Sequence, residues 1–185
     1  MRTIRTLLLL LVTSPTLLDA QSGSYDWPSQ NLNIHNSRYA ELDQINKSNV
    51  DQLREAWTFS PGPQDDITQV TPLVVSGVML LHSRNTMFAL DATSGVELWR
   101  RPLDAGSAGG PVRGSTYSEG RVYAYRGADL YAFDAGNGEA IRSFGDTGVL
   151  KVVAEALNFK YPDVYSVNTD PISLGYRLTT PPTIH

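Results

Sequence analysis

The sequence contains no cysteine among its 185 residues. A disulfide scaffold, a Cys-ligated zinc site, an iron–sulfur cluster and a thiol nucleophile are all excluded within it. A haem attached through Cys-x-x-Cys-His is excluded on the same ground. An excess of basic charge is also missing: 15 Lys and Arg stand against 19 Asp and Glu, for a formal net charge of −4. That balance gives no electrostatic footprint for nucleic acid. No apolar run is long enough to span a bilayer. Catalytic signatures are scarce, with neither a Gly-x-Ser-x-Gly elbow nor a His-x-x-x-His pair. The three histidines, His35, His82 and His185, are scattered and read as structural rather than as metal ligands or bases. At 41% hydrophobic and 18% charged residues, the composition is nevertheless that of a folded chain, not a disordered one.

The first twenty residues read as an address. Arg2 and Arg5 precede the apolar run Leu7 to Val12, Pro15 ends it, and the small residue Ala20 follows. A basic start, a short apolar core and a small residue make a secretory signal peptide, with cleavage expected after Ala20. The expected location is periplasmic or secreted.

The body is β-rich and repeats. Four short runs, Pro72–Val75, Val78–His82, Met87–Leu90 and Val96–Trp99, are separated by polar turns and form an antiparallel meander. Gly77, Ala89, Asp91, Ala92 and Gly95 then recur as Gly120, Ala132, Asp134, Ala135 and Gly138, each 43 residues later. A four-stranded unit at this period is the signature of a β-propeller blade. No amphipathic helix separates the strands, which excludes an α/β reading. Asp91 and Asp134 read as turn formers that bind backbone amides ahead of them, and Gly95 and Gly138 as the residues that close the hairpin at positive φ. Trp99 reads as a wedge between neighbouring blades; Arg142 stands where it would recur.

The flanks differ from the repeats. Ile45 to Leu53 predicts a short helical turn capped by Asn46 or Ser48, and Trp57-Thr58-Phe59 predicts a short strand. Asp65-Asp66 reads as a solvated loop tip. Lys151 to Lys160 predicts a short helix within a long excursion over 146–177. The fold expected is all-β, a partial β-propeller. Its parts are a signal peptide at 1–20, an N-terminal lead-in segment at 21–66 and the propeller part at 67–185. Within the last, blades fall at about 67–100 and 111–142, and a third blade begins at 178–185.

Several stretches together resemble one known family. They are Asn36-x-Arg38-Tyr39-Ala40-x-Leu42-x-Gln44-Ile45-Asn46-x-x-Asn49-Val50, Leu53-x-x-Ala56-Trp57-x-Phe59 and Thr71-Pro72-Leu73-Val74-Val75-x-Gly77-Val78-Met79. Arg113-Gly114-x-x-Tyr117, Ser143-Phe144-Gly145-Asp146-x-Gly148 and Leu178-Thr179-Thr180-Pro181-Pro182 continue the match. The set is similar to the pyrroloquinoline-quinone (PQQ) dependent dehydrogenases of the alcohol and glucose types, over about residues 27 to 185. The resemblance implies an eight-bladed propeller with the quinone on its axis beside a calcium ion. It implies oxidation of an alcohol or aldose hydroxyl, with electrons leaving to an acceptor such as a cytochrome or a quinone. No nucleic acid and no membrane span are expected.

Three residues correspond to quinone contacts of that family. Gln69 occupies a position that is often Glu and keeps hydrogen-bonding capacity without charge. Arg113 supplies a permanent cation suited to paired bonds with an anionic, oxygen-rich ligand. Thr179 supplies a hydroxyl. Ser107-Ala108-Gly109-Gly110 stands where some members carry adjacent cysteines, so a vicinal disulfide is excluded. The calcium ligands and the catalytic aspartate of the family fall in later blades and have no counterpart here. The expectation is an N-terminal part of a quinoprotein dehydrogenase, inactive alone. The alternative is a non-enzymatic envelope propeller that serves as a binding or assembly scaffold and shares the Ala-x-Asp-x-x-x-Gly-x-x-x-Trp motif. A propeller that degrades sugar polymers would want carboxylate pairs at its blade loops, and only Asp65-Asp66 offers one.

Overall fold

The structure, a computed structural model, describes residues 25–184 apart from 64, 66, 68 and 104–110. The signal-peptide expectation, Asp66, the Ser107–Gly110 stretch and His185 lie outside the described residues. Among the described residues, eight strands form two four-stranded antiparallel sheets in meander order. The first contains β1 (Leu73–Val75), β2 (Val78–His82), β3 (Thr86–Asp91) and β4 (Glu97–Pro102). The second contains β5 (Thr116–Ser118), β6 (Arg121–Arg126), β7 (Asp129–Asp134) and β8 (Val149–Leu150). A single α-helix among the described residues, α1 (Val152–Lys160), follows β8.

The strand alternation explains the core. On β3, Met87 and Ala89 face the second sheet and join Leu73, Leu80, Trp99, Val122, Ala124, Tyr131 and Phe133 in one buried cluster. The intervening Phe88 and Leu90 point the other way and pack with Leu81 against Trp57 and Phe59. A strand covered on both faces has no solvated side, so Met87 to Leu90 is apolar throughout. The first sheet is thus sandwiched between the second sheet and the lead-in segment.

Trp57-Thr58-Phe59, expected as a strand, joins no strand ladder among the described residues. Its contribution is side-chain packing. The Trp57 indole N–H donates to the Ala92 carbonyl at 3.2 Å. Trp99 repeats the arrangement one unit on and donates to the Ala135 carbonyl at 3.0 Å. Each indole lies against the glycine that closes the turn of the following unit. A Cβ built on Gly95 would stand 2.5 Å from Trp57 Cδ2, and one on Gly138 would stand 2.7 Å from Trp99 Cδ2. Trp99 is 7% exposed, so it wedges the two sheets as expected from its position. At ~25 cal/mol per Å² and ~150–250 Å² buried, its burial stabilises by at most about 4–6 kcal/mol.

The turns follow the sequence pattern. Asp91 Oδ1 accepts the backbone N–H of Thr93 at 3.1 Å and of Ser94 at 2.7 Å. Asp134 Oδ1 accepts those of Gly136 at 2.9 Å and Asn137 at 3.1 Å. The Ser94 hydroxyl also donates to Asp91 Oδ1, at 2.8 Å, and is the main cause of a lowered Asp91 pKa, followed by the Ser94 N–H. Both aspartates therefore organise turns.

Two local expectations shift. The short turn after Ile45 is a 3-10 helix at Val50–Gln52 preceded by Asn49, whose side chain makes no cap. Asn49 Oδ1 instead accepts the Asn46 backbone N–H at 2.8 Å and closes the loop before the helix. In the second unit the outer strand does not continue from the Asp134 turn. Ala140 makes one isolated bridge to Phe133, and the ladder resumes at Val149–Leu150, inside the stretch read as an excursion. The insertion between them folds on itself, with Phe144 placing its ring edge against Tyr123, centroids 5.6 Å apart.

Candidate functional site

The antiparallel register sorts the connections onto two rims. Leu73 pairs with Leu80 and Val75 with Val78, so the start of β1 lies beside the end of β2. The same holds for β5 and β6, where Thr116 pairs with Tyr123 and Ser118 with Arg121. One rim therefore carries the tight turns after β1, β3, β5 and β7. The other carries the starts of β1 and β5, the β2–β3 and β6–β7 turns and the long connections. Gln69, Arg113 and Thr179 all belong to this second, loop-bearing rim.

Three chain segments meet there. Gly114 sits at φ +131°, and an added Cβ would be in ordinary van der Waals contact with two other segments, 3.4 Å from the Thr71 carbonyl oxygen and 3.7 Å from Pro181 Cγ. Those atoms belong to the starts of the first unit, the second unit and the segment that follows the excursion. Thr116 Oγ1 donates to the Pro182 carbonyl at 2.5 Å and ties the last two together. Gln69, Arg113 and Thr179 stand within two residues of this junction along their own segments. All three are exposed, and their side chains have no hydrogen-bond partner among the described residues. A cleft of about 470 Å³ adjoins the junction at Thr116, Pro181 and Pro182. It is walled by the lead-in residues Pro28 to Ile34, and none of the three candidates lines it.

Behind Arg113 the backbone is held from within the fold. Its N–H donates to Tyr125 Oη at 3.0 Å. The Gly114 carbonyl lies 3.1 Å from His82 Nδ1. A carbonyl only accepts, so Nδ1 carries the proton. His82 is fully buried, and burial lowers its pKa to about 4, against the opposing pull of the Gly114 carbonyl and the Tyr125 backbone; Arg126 also lowers it. The ring is neutral at pH 7. Its Nε2 and the Ser115 hydroxyl are buried without a partner among the described residues. Burial also raises the Tyr125 pKa, with the Arg113 N–H and guanidinium acting the other way.

Asp65 is not a solvated loop tip. It is half-buried, accepts the Ser83 hydroxyl on Oδ1 at 2.5 Å and the Thr86 hydroxyl on Oδ2 at 3.1 Å. These bonds fasten the connection that leads to Gln69 onto the β2–β3 turn. Sequence reading missed Asp65, His82 and Tyr125 as parts of this rim. One signal was available: His82 and Tyr125 are 43 residues apart and so occupy the same place in the two units.

A metal is a separate question. Among the described residues, no three His, Asp or Glu side chains stand together as a metal site. The donor set at the rim is an amide, a guanidinium and a hydroxyl. It suits an anionic, oxygen-rich organic ligand rather than a hard cation.

Comparison with known proteins gives a concordant result. The chain is 29% identical over 177 residues to the quinoprotein glucose dehydrogenase of Escherichia coli (strain K12), covering 80% of this chain and 22% of that protein. It is 35% identical over 161 residues to the putative dehydrogenase XoxF of Paracoccus denitrificans, covering 77% and 27%. The solved quinohemoprotein alcohol dehydrogenase from Comamonas testosteroni superposes with a TM-score of 0.56 at 28% identity, over 62% of this chain and 18% of that one. The chain thus spans about a quarter of the length of the curated relatives it matches. Residues 27–183 match the family described as the PQQ glucose/ethanol/alcohol dehydrogenase β-propeller domain, and the chain belongs to that family.

Proposed function

We propose that this chain forms the first blades of an eight-bladed, periplasmic or secreted PQQ-dependent dehydrogenase that oxidises an alcohol or aldose hydroxyl. The observation that carries the reading is the junction at Gly114, where three segment starts meet in van der Waals contact and present Gln69, Arg113 and Thr179 on one rim. Arg113 would hold the quinone through its permanent positive charge, Gln69 through its amide and Thr179 through its hydroxyl. When bound, the quinone takes two electrons from the substrate carbon and passes them to an acceptor such as a cytochrome or a second quinone. This chain's residues hold and orient it. Calcium is the metal expected, with its ligands and the catalytic aspartate supplied from outside the described residues, so the chain alone turns over no substrate.

Titrating PQQ into the 185-residue chain and following quinone absorbance tests the binding half. Arg113→Ala should weaken binding about tenfold, the loss expected of one charge-assisted contact. Equal affinity of parent and variant, or no binding by the parent, would refute the assignment. The inactivity is tested with PQQ, calcium, a dye acceptor and a panel of alcohols and aldoses. Turnover above background would contradict it.

A further inference from the structure

Two side chains from successive repeats hold one dipeptide at the rim. His82 ends β2 and Tyr125 lies one residue before the end of β6. Their rings meet edge to face, with centroids 5.3 Å apart and planes at 86°. The Tyr125 hydroxyl oxygen accepts from the Arg113 N–H at 3.0 Å, and His82 Nδ1–H donates to the Gly114 carbonyl at 3.1 Å. Neither bond belongs to a strand ladder. Both bonds go to the Arg113–Gly114 unit.

The contrast in burial is informative. His82 is 0% and Tyr125 1% exposed, while the Arg113 side chain points into solvent with no partner among the described residues. The backbone is fixed where the side chain is free. A long cation that must meet a bound ligand in one geometry needs its Cα and Cβ vector held, because its own torsions do not supply that order. Gly114 completes the arrangement, since its backbone sits at φ +131°, a conformation that favours glycine, between Thr71 and Pro181.

We infer that His82 and Tyr125 are positioning residues that act through Arg113 and aim its guanidinium at the quinone. The inference rests on the reading that Arg113 faces that ligand. It adds the device that sets Arg113 and gives the otherwise unused His82 a role.

The test uses the whole 185-residue chain, PQQ as the probe and two readouts: PQQ affinity by quinone absorbance, and hydrogen exchange at the Arg113 amide without PQQ. Tyr125→Phe keeps the ring and removes only the acceptor. It should speed exchange at Arg113 and weaken PQQ binding, each by about tenfold, as expected for one lost hydrogen bond. His82→Leu should weaken PQQ binding similarly, and His82→Asn, which retains an N–H near Nδ1, should recover most of the affinity. In an Arg113→Ala background, Tyr125→Phe should cost little further affinity, because the group being aimed is gone. If Tyr125→Phe and His82→Leu bind PQQ like the parent while Arg113→Ala does not, the positioning role falls and the cofactor reading stands. If Arg113→Ala binds like the parent, or the parent does not bind PQQ, both fall. Tyr125→Phe preserves core volume, so it decides the matter if His82→Leu does not fold.

Discussion

Replacing Gly138 by alanine probes the wedge between the two sheets. Gly138 sits at φ +72°, and its new Cβ would lie 2.7 Å from Trp99 Cδ2 and 2.8 Å from Cε3. Carbon atoms pack at about 3.5–4.0 Å, so close to 1 Å must be found by moving the turn or the indole. The indole cannot yield cheaply, because Trp99 is buried and its N–H is bonded to the Ala135 carbonyl at 3.0 Å. Two costs add: about 1 kcal/mol for a side chain in the left-handed region and about 1–3 kcal/mol for overpacking. Gly120 supplies the control. It has φ +78° and nothing within 4 Å of an added Cβ. Gly120→Ala should therefore lose only the conformational part, about 1 kcal/mol. Urea unfolding followed by tryptophan fluorescence and by circular dichroism compares the two. Gly138→Ala should be less stable than Gly120→Ala by about 1–3 kcal/mol, and Trp99→Ala should abolish most of that difference. Equal losses at the two glycines would show that the indole does not fill the space above Gly138 and would refute the reasoning.

Other consequences are testable on the same chain. His82 has a folded-state pKa lowered from 6.5 to about 4, so between those values the unfolded chain binds more protons. Its contribution is fully present above pH 6.5 and is lost as pH falls towards 4, about 3 kcal/mol in all, and His82→Asn should flatten the unfolding free energy across that window. Asp65→Ala removes the acceptor for both the Ser83 and Thr86 hydroxyls and should cost about 1–3 kcal/mol in urea unfolding, with faster proteolysis of the connection before Gln69. Trp57→Ala should destabilise less than Trp99→Ala, about 1–3 against about 3–5 kcal/mol, because Trp57 is only half-buried and Trp99 is covered by both sheets. Equal thermal shifts for the two tryptophan variants would contradict that ranking.

The residues that were legible in advance act over short distances. Asp91 and Asp134 bond amides two and three residues ahead, so their turn role needs no tertiary information. The helix expected from Lys151 appears as Val152–Lys160, and the repeated apolar runs became strands. Misread residues act across the fold. Trp57 has the flanking pattern of a strand, but its partner is a turn 35 residues away, at Ala92. Asp65 resembles any acidic residue in a polar loop until the β2–β3 turn brings two hydroxyls to it. In the second unit the blade was expected to close by residue 142, but the outer ladder position went to Val149 and Leu150 after the intervening residues had folded on themselves.

By itself the sequence determined the meander, its turn chemistry and its 43-residue period, because strand alternation and Asp–Gly turns are set by neighbours along the chain. It also supplied the motifs by which the family is recognised. Only the tertiary structure decided that the starts of successive units share one rim, that Gly114 stands between Thr71 and Pro181, and that His82 and Tyr125 grip the backbone at Arg113. The physical reason is register: antiparallel pairing returns the chain to the same rim after every second strand, so residues 43 positions apart become neighbours whose hydrogen bonds no local pattern encodes.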